Sequence, residues 1–171
     1  DTLVRETSAA TGLKEFERLG LHPGGYALLT MHRPSNVDDP AILARLLKLL
    51  ADCSERLPIV FPMHPRTRKA VAAAGLAGLI AGRSGLRVID PIPYRSNLDR
   101  MANAKMVFTD SGGMQEETTF LKVPCLTLRG NTERPVTVEK GTSRLVGNDI
   151  QCIQEAFEDV MAGRWTRGGD I

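Results

Sequence analysis

The chain has 171 residues, the size of one ordinary domain, and 42% of them are hydrophobic, which is enough to form a core and excludes a disordered chain. Its 22 Lys and Arg side chains are nearly balanced by 20 Asp and Glu, and the net charge of +2 is spread over both halves. Proteins that bind nucleic acid usually concentrate basic residues on one surface, so nucleic acid is not an expected partner.

The first half of the chain alternates between short apolar runs and helical patterns. Strands are predicted over Tyr26–Met31, Pro58–Met63 and Leu86–Ile89. Asp39 is predicted to cap a helix that begins at Pro40, because apolar side chains then recur at three- and four-residue steps. A second helix is predicted over Thr67–Ala77. Ser96, with Asp99 three residues later, resembles a capping box and predicts the start of a third helix.

The second half repeats this alternation. Strands are predicted over Lys105–Thr109, Cys125–Leu128 and Ser143–Val146. One helix is predicted over Met114–Leu121, a second ends at Gly141, and a third runs from an Asp149 cap to Gly163. Strands that read as continuous apolar runs are buried on both faces. We therefore predict the α/β class, with a Rossmann-like parallel sheet, helices on both faces and a single domain over residues 1–171. Ligands of such sheets bind beyond the carboxyl ends of the strands.

No signal peptide and no transmembrane stretch is visible, so a membrane is not an expected partner. The three cysteines are odd in number and far apart, which does not suit a disulfide framework and predicts a cytoplasmic protein. The three histidines lie in separate segments without metal-binding spacing, so we expect no metal and no other cofactor.

The segment TDSGGMQEE is the most informative one. It leaves a predicted strand, turns through Ser111, Gly112 and Gly113, and enters a helix. Unpaired N–H groups at a helix start favour a phosphate, and glycines allow it to approach the backbone closely. Glu117 lies roughly 6 Å further along the same helix face, where a carboxylate can accept hydrogen bonds from a ribose. An ordinary strand–helix turn with a capping serine is the alternative interpretation.

A second polar segment, Arg129–Gly141, follows the fifth predicted strand. Arg134 precedes a proline, which restricts its backbone, and an arginine there can bind a diphosphate with two parallel hydrogen bonds. The alternative is that Arg134 pairs with Glu133 or Glu116 at the rim of the site.

Two histidines follow strands at the same edge. His32 comes after the first strand and His64 ends the second, so either can reach a phosphate or a sugar there, and a purely structural hydrogen-bonding role is the alternative. A catalytic triad of Ser111, His32 and Asp110 is rejected, because the serine and the aspartate are adjacent and no GxSxG motif surrounds the serine.

Taken together, five motifs resemble those of UDP-N-acetylglucosamine 2-epimerases, in the same order: TMHRPSNVDDP, FPMHPRT, IDPIPY, VFTDSGGMQEETTFLKVPCLTLRGNTERP and EKGTSRLVGND. The resemblance runs from about Tyr26 to the final helix. It implies a GT-B fold, in which two Rossmann-like domains enclose the active site. The motifs belong to the second domain, so the amino-terminal domain is expected to be absent from this chain.

By position, the resemblance also implies the site residues. His32 would be catalytic and contact the substrate diphosphate, and the loop around Asp90–Asn97 would face the uracil. The implied UDP-binding residues are His32, Tyr94, Asn97, Ser111, Gly112, Gly113, Glu117 and Arg134. The chain departs from the family pattern at Ser35, Ile92, Asn97 and Val136. We therefore expect the base to be recognised mainly by backbone groups, and we do not expect activation by a second substrate molecule.

The activity implied by the resemblance is the interconversion of UDP-GlcNAc and UDP-ManNAc by elimination and re-addition of UDP. Such a reaction serves the synthesis of cell-surface polysaccharides. The groups that move the proton would be carboxylates of the amino-terminal domain, so this chain alone is expected to be inactive and to bind UDP weakly. The full-length protein would be a homodimer. A hydrolysing epimerase, a GT-B glycosyltransferase and a non-catalytic nucleotide-sugar-binding module are the alternatives.

Overall fold

The fold was analysed in a computed structural model that describes Arg5 and residues 14–165. Six strands form one sheet: β1 (Ala27–Thr30), β2 (Ile59–Pro62), β3 (Leu86–Ile89), β4 (Met106–Thr109), β5 (Cys125–Thr127) and β6 (Ser143–Leu145). Their order is β3-β2-β1-β4-β5-β6, and all five neighbouring pairs are parallel. The predicted parallel α/β sheet is confirmed. The prediction of a single domain over residues 1–171 includes segments outside the described residues and stays a prediction.

The strands are joined by helices: α1 (Pro34–Val37), α2 (Pro40–Cys53), α3 (Pro65–Ala73), α4 (Ala77–Ala81), α5 (Tyr94–Ala102), α6 (Gly112–Leu121), α7 (Val136–Glu139) and α8 (Ile150–Met161). A 3-10 helix over Glu15–Leu19 precedes β1. Both predicted aspartate caps are confirmed: Asp39 accepts hydrogen bonds from the first turn of α2, and Asp149 does so for α8. No helix within residues 14–165 is long and apolar enough to cross a bilayer.

Three predicted helix boundaries are wrong. The helix predicted over Met114–Leu121 begins at Gly112, because Ser111 already caps it. The helix expected to start at Ser96 begins at Tyr94, because Pro93 already provides a suitable N-cap backbone and its carbonyl accepts a hydrogen bond from the Asn97 N–H. The helix expected over Thr67–Ala77 is divided into α3 and α4. Gly75 lies between them with a φ of +69°, a left-handed conformation that ends a helix and that glycine adopts without strain.

Helices cover both faces of the sheet, as predicted. Leu29 and Phe108 belong to the larger core cluster, which also contains buried side chains of α2 and α8. Leu28 and Val107 point to the opposite face and belong to a second cluster with Met101 of α5 and Met114 of α6. Because successive strand residues alternate between two covered faces, the strands have no polar face, and this explains their continuous apolar runs.

The sheet order reverses between β1 and β4. The chain builds β2 and β3 on one side of β1, and then returns to build β4, β5 and β6 on the other side. In an open parallel sheet, this point leaves a crevice at the carboxyl ends of the two central strands. Thr30 and Thr109 are paired there, with their hydroxyl oxygens 2.7 Å apart. The segments after these two strands therefore face each other.

Candidate functional site

A cleft of about 210 Å³ lies at this crevice. Residues that follow four different strands line it, among them His32, His64, Ile92, Asn97 and Ser111. Three of these, His32, Asn97 and Ser111, are site residues implied by the sequence resemblance. The parallel sheet brings them together although they are far apart in the sequence.

Asp110 organises the loop after β1. Its side chain is fully buried, and its carboxylate accepts hydrogen bonds from the backbone N–H of His32 (3.0 Å) and Arg33 (2.8 Å) and from the Asn36 side-chain amide (3.0 Å). The same Asn36 nitrogen donates to the Leu128 carbonyl at 2.9 Å. One carboxylate at the end of β4 therefore fixes the position of the segment that carries His32.

Both histidines of the cleft are held through Nδ1. The His32 Nδ1 lies 3.3 Å from an Asp110 carboxylate oxygen, and the His64 Nδ1 accepts a hydrogen bond from the Arg66 N–H at 3.1 Å. The two rings meet edge to face, with their centroids 5.5 Å apart. A carboxylate next to Nδ1 favours a proton on that nitrogen, which leaves Nε2 of His32 as the ring atom that can contact a ligand.

The start of α6 differs from the prediction in one respect: Gly112 and Gly113 belong to the helix and not to the turn before it. The Ser111 hydroxyl caps the helix by accepting a hydrogen bond from the Met114 N–H at 3.4 Å, and Gly112 and Gly113 form the first turn. A Cβ atom on Gly112 would lie 2.8 Å from a carboxylate oxygen of Glu133 and 3.3 Å from Nη1 of Arg134. A side chain at position 112 would displace the ends of the Glu133 and Arg134 side chains, which lie directly against the helix start.

Three guanidinium groups surround the Glu133 carboxylate, and we call Arg33, Arg129 and Arg134 the arginine cluster. Arg129 forms two parallel hydrogen bonds to Glu133, at 2.7 and 3.0 Å. Nitrogens of Arg33 and Arg134 lie 3.8 and 3.7 Å from the same carboxylate. The pKa of Glu133 is lowered to about 2, and the largest cause is its hydrogen bonding to Arg129. Glu133 is therefore an anion at any physiological pH, and it lies where positive charge is concentrated.

Arg134 lies both at the start of α6 and next to the rim carboxylates, as the two interpretations of the sequence suggested. Its Nη1 lies at the start of α6, while its Nε lies 2.9 Å from a Glu116 oxygen. That contact is an ion pair without hydrogen-bond geometry, since among the described residues the Nε atom has no hydrogen-bond partner. More than half of the Glu116 and Glu133 side-chain surface is exposed, so water weakens both attractions. Arg134 therefore pairs with Glu116 and Glu133 at the rim, as the alternative interpretation predicted, and its guanidinium also lies next to Gly112.

Glu117 and Tyr94 form a pair between α6 and α5. The pKa of Glu117 is raised, chiefly because burial disfavours its charged form, and a hydrogen bond from Tyr94 partly opposes that effect. The pair lies beside the cleft and does not line it. The eight sequence-derived site residues thus fall into three neighbouring groups: cleft residues His32, Asn97 and Ser111; helix-start residues Gly112, Gly113 and Arg134; and the pair Tyr94 and Glu117.

Sequence reasoning did not assign a site role to Asp110, Arg129 or Glu133. One signal could have found the first two. Asp110 directly follows β4, and Arg129 directly follows the strand predicted to end at Leu128, at the edge where ligands bind, so an ionisable side chain there is a candidate site residue. Glu133 lies further along its loop, and its position depends on Arg129.

The profile of the UDP-N-acetylglucosamine 2-epimerase family matches residues 2–167. The chain belongs to this family. The family member from Methanocaldococcus jannaschii is 41% identical over 135 residues, which are 78% of this chain and 37% of that protein. UDP-2,3-diacetamido-2,3-dideoxy-D-glucuronate 2-epimerase from Pseudomonas aeruginosa is 37% identical, over 77% of this chain and 36% of its own length.

Solved structures of the family share the fold. The crystal structure of the Methanocaldococcus jannaschii UDP-GlcNAc 2-epimerase in complex with UDP-GlcNAc and UDP has a TM-score of 0.86 and 32% identity, and the match covers 99% of this chain and 48% of that one. The GT-B type of Rossmann-like domain implied by the sequence is confirmed. The chain spans less than half the length of these family members.

Proposed function

We propose that the whole protein is a UDP-GlcNAc 2-epimerase and that this chain contributes the half that binds UDP. The observation that carries the proposal is the convergence of the Arg134 guanidinium on the glycine that opens α6. A helix start and an arginine that face one point suit a diphosphate. Family membership and the structural match to an epimerase solved with UDP-GlcNAc and UDP support the same ligand.

In this proposal, the diphosphate lies at the start of α6. The N–H groups of Gly112 and Gly113 and the hydroxyl of Ser111 surround one end of it, and the Nε2–H of a doubly protonated His32 donates to it from the other side of the cleft. Arg134 exchanges its exposed carboxylate partners for the diphosphate, which carries more negative charge and accepts two parallel hydrogen bonds. The exchange is favourable because water already weakens the existing ion pairs.

The nucleoside lies along α5 and α6. Glu117 accepts hydrogen bonds from the ribose hydroxyls, and Tyr94 holds the carboxylate in place. Asn97 and the backbone of residues 90–97 contact the uracil, which fits the position of Asn97 and Ile92 in the wall of the cleft.

The proposed reaction removes a proton from the second carbon of the sugar and breaks the bond between the first carbon and the diphosphate oxygen. UDP leaves, a proton returns to the opposite face of the second carbon, and UDP adds back. Negative charge develops on the diphosphate as it leaves, where the N–H groups of α6, Arg134 and the imidazolium form of His32 stabilise it. The groups that move the proton belong to a further domain in this proposal, so the 171-residue chain alone is inactive.

Incubating the whole protein with UDP-GlcNAc alone, followed by chromatography of the products, tests the proposal. UDP-ManNAc is the expected product. Free ManNAc with UDP would indicate a hydrolysing epimerase, and turnover only with an added acceptor would indicate a glycosyltransferase. A second candidate substrate is UDP-2,3-diacetamido-2,3-dideoxy-D-glucuronate, because the Pseudomonas aeruginosa relative is named for it. The same assay with this nucleotide sugar decides between the two substrates.

The place of action is part of the proposal. Cys53, Cys125 and Cys152 are free thiols, which suits the reducing cytoplasm, where nucleotide sugars for surface polysaccharides are made. Dimerisation of the whole protein stays a prediction.

Replacing Glu117 with glutamine is expected to weaken UDP binding roughly fivefold while leaving pyrophosphate binding unchanged, because only UDP carries a ribose. UDP affinity should also fall as the pH decreases through the raised pKa of Glu117, since a protonated carboxyl group accepts fewer hydrogen bonds. Titration calorimetry with both ligands measures the difference. An equal loss for UDP and pyrophosphate would exclude the ribose contact.

A further inference from the structure

Gln115 is a fully buried polar side chain in the first half of α6. Both ends of its amide are used. Its oxygen accepts a hydrogen bond from the Thr132 hydroxyl at 2.9 Å, and its nitrogen donates to the Thr137 hydroxyl at 3.4 Å. A buried amide needs such partners, and these two flank Arg134 in the sequence: Thr132 lies in the loop before it and Thr137 in α7 after it.

The two threonines in turn hold the backbone of Arg134 from both sides. The Arg134 N–H donates to the Thr132 hydroxyl at 2.9 Å, and the Thr137 hydroxyl donates to the Arg134 carbonyl at 2.7 Å. Each hydroxyl therefore donates one hydrogen bond and accepts one. This order favours the observed orientation of the Gln115 amide, because with oxygen and nitrogen exchanged the single Thr137 hydroxyl proton could not serve both the amide oxygen and the Arg134 carbonyl.

We propose that Gln115 is a positioning residue that holds Arg134 against the start of α6 for diphosphate binding. Gln115 is three residues from Gly112, so a single helix carries both the N–H groups and the amide that positions the arginine. The side-chain ion pairs of Arg134 involve exposed carboxylates and are weak anchors, whereas its backbone is held by a network that ends at a buried amide. The inference rests on the proposed function, because it requires Arg134 to bind the ligand.

A double-mutant cycle on UDP affinity tests the proposal in the 171-residue chain. The variants are Gln115→Met, which removes the amide at similar length, and Thr132→Val, which removes one hydroxyl at a half-exposed position. Each variant is measured by titration calorimetry with Arg134 present and in an Arg134→Ala background. Thr132→Ser is the matched control, because it keeps the hydroxyl.

We expect Gln115→Met and Thr132→Val each to weaken UDP binding about three- to tenfold when Arg134 is present, and to have no further effect in the Arg134→Ala background. Thr132→Ser should keep the affinity of the parent chain. Equal losses in both backgrounds would show that the network stabilises the domain without acting through Arg134, and no loss in either would also overturn the inference. If Arg134→Ala alone leaves UDP affinity unchanged, the proposed diphosphate contact fails first, and the inference fails with it.

Discussion

Replacing Arg134 with alanine is expected to weaken UDP binding by about 1.5–3 kcal/mol, which is the usual loss for a hydrogen bond to a charged group. The position of the guanidinium supports this size of effect. Its Nη1 lies 3.3 Å from where a Cβ on Gly112 would be, so it shares one location with the helix N–H groups. Arg134→Lys should lose part of the affinity, since lysine keeps the charge but cannot form two parallel hydrogen bonds.

Arg83→Ala is the matched control for this prediction. Arg83 also pairs with two carboxylates, Asp52 and Glu55, but it precedes β3 and so lies at the opposite edge of the sheet. Its replacement should leave UDP affinity unchanged. Titration calorimetry with UDP measures all three variants, and an unchanged affinity in Arg134→Ala would exclude the diphosphate contact.

Asp110→Ala is expected to lower the free energy of unfolding by about 3–5 kcal/mol, a large part of the stability of an ordinary domain. The carboxylate is fully buried and accepts hydrogen bonds from two backbone N–H groups and one side-chain amide. Its removal takes away the acceptor of the His32 and Arg33 N–H groups, which are partly buried, and leaves Asn36 with its bond to Leu128 alone, and each unpaired buried group costs about 1–3 kcal/mol. The loop that carries His32 would lose its attachment to β4.

Urea denaturation followed by circular dichroism measures this loss. Asp90→Asn is the matched control. The Asp90 side chain is 94% exposed, and its ion pair with Arg68 is long, at 3.4 Å. The control should change the free energy of unfolding by less than about 1 kcal/mol. Equal urea midpoints for Asp110→Ala and the parent chain would show that the buried carboxylate does not stabilise the loop.

Local sequence signals were sufficient for much of the fold. Apolar runs located every strand, and the Asp39 and Asp149 caps were predicted correctly because an N-cap depends only on residues within one turn. The same kind of signal failed at Ser96, where a capping pattern occurs inside a helix that already begins after Pro93. A local pattern does not show which of two possible starts the backbone uses.

The parallel sheet made part of the site predictable as well. Once the strands were known, the residues after them had to meet at one edge, and this placed His32 and Ser111 in one cleft. The role of Asp110 could not be predicted, because its partner His32 is 78 residues away. That Arg134 and the start of α6 face one pocket was predicted, because both follow strands at the same edge of the sheet, whereas the detailed contact with Gly112 depends on how the loop after β5 folds over α6.

The convergence of α6 and Arg134 on one anionic ligand is tested most directly by a nuclear magnetic resonance titration of the 15N-labelled chain with UDP. We expect the backbone amide signals of Gly112, Gly113 and Met114 to shift the most, together with the side-chain Nε–H signal of Arg134. We expect the amide shifts to need a higher UDP concentration in Arg134→Ala. Saturable shifts confined to the opposite edge of the sheet, around residues 82–85, would show that UDP binds elsewhere and that the helix start and the arginine do not form its site.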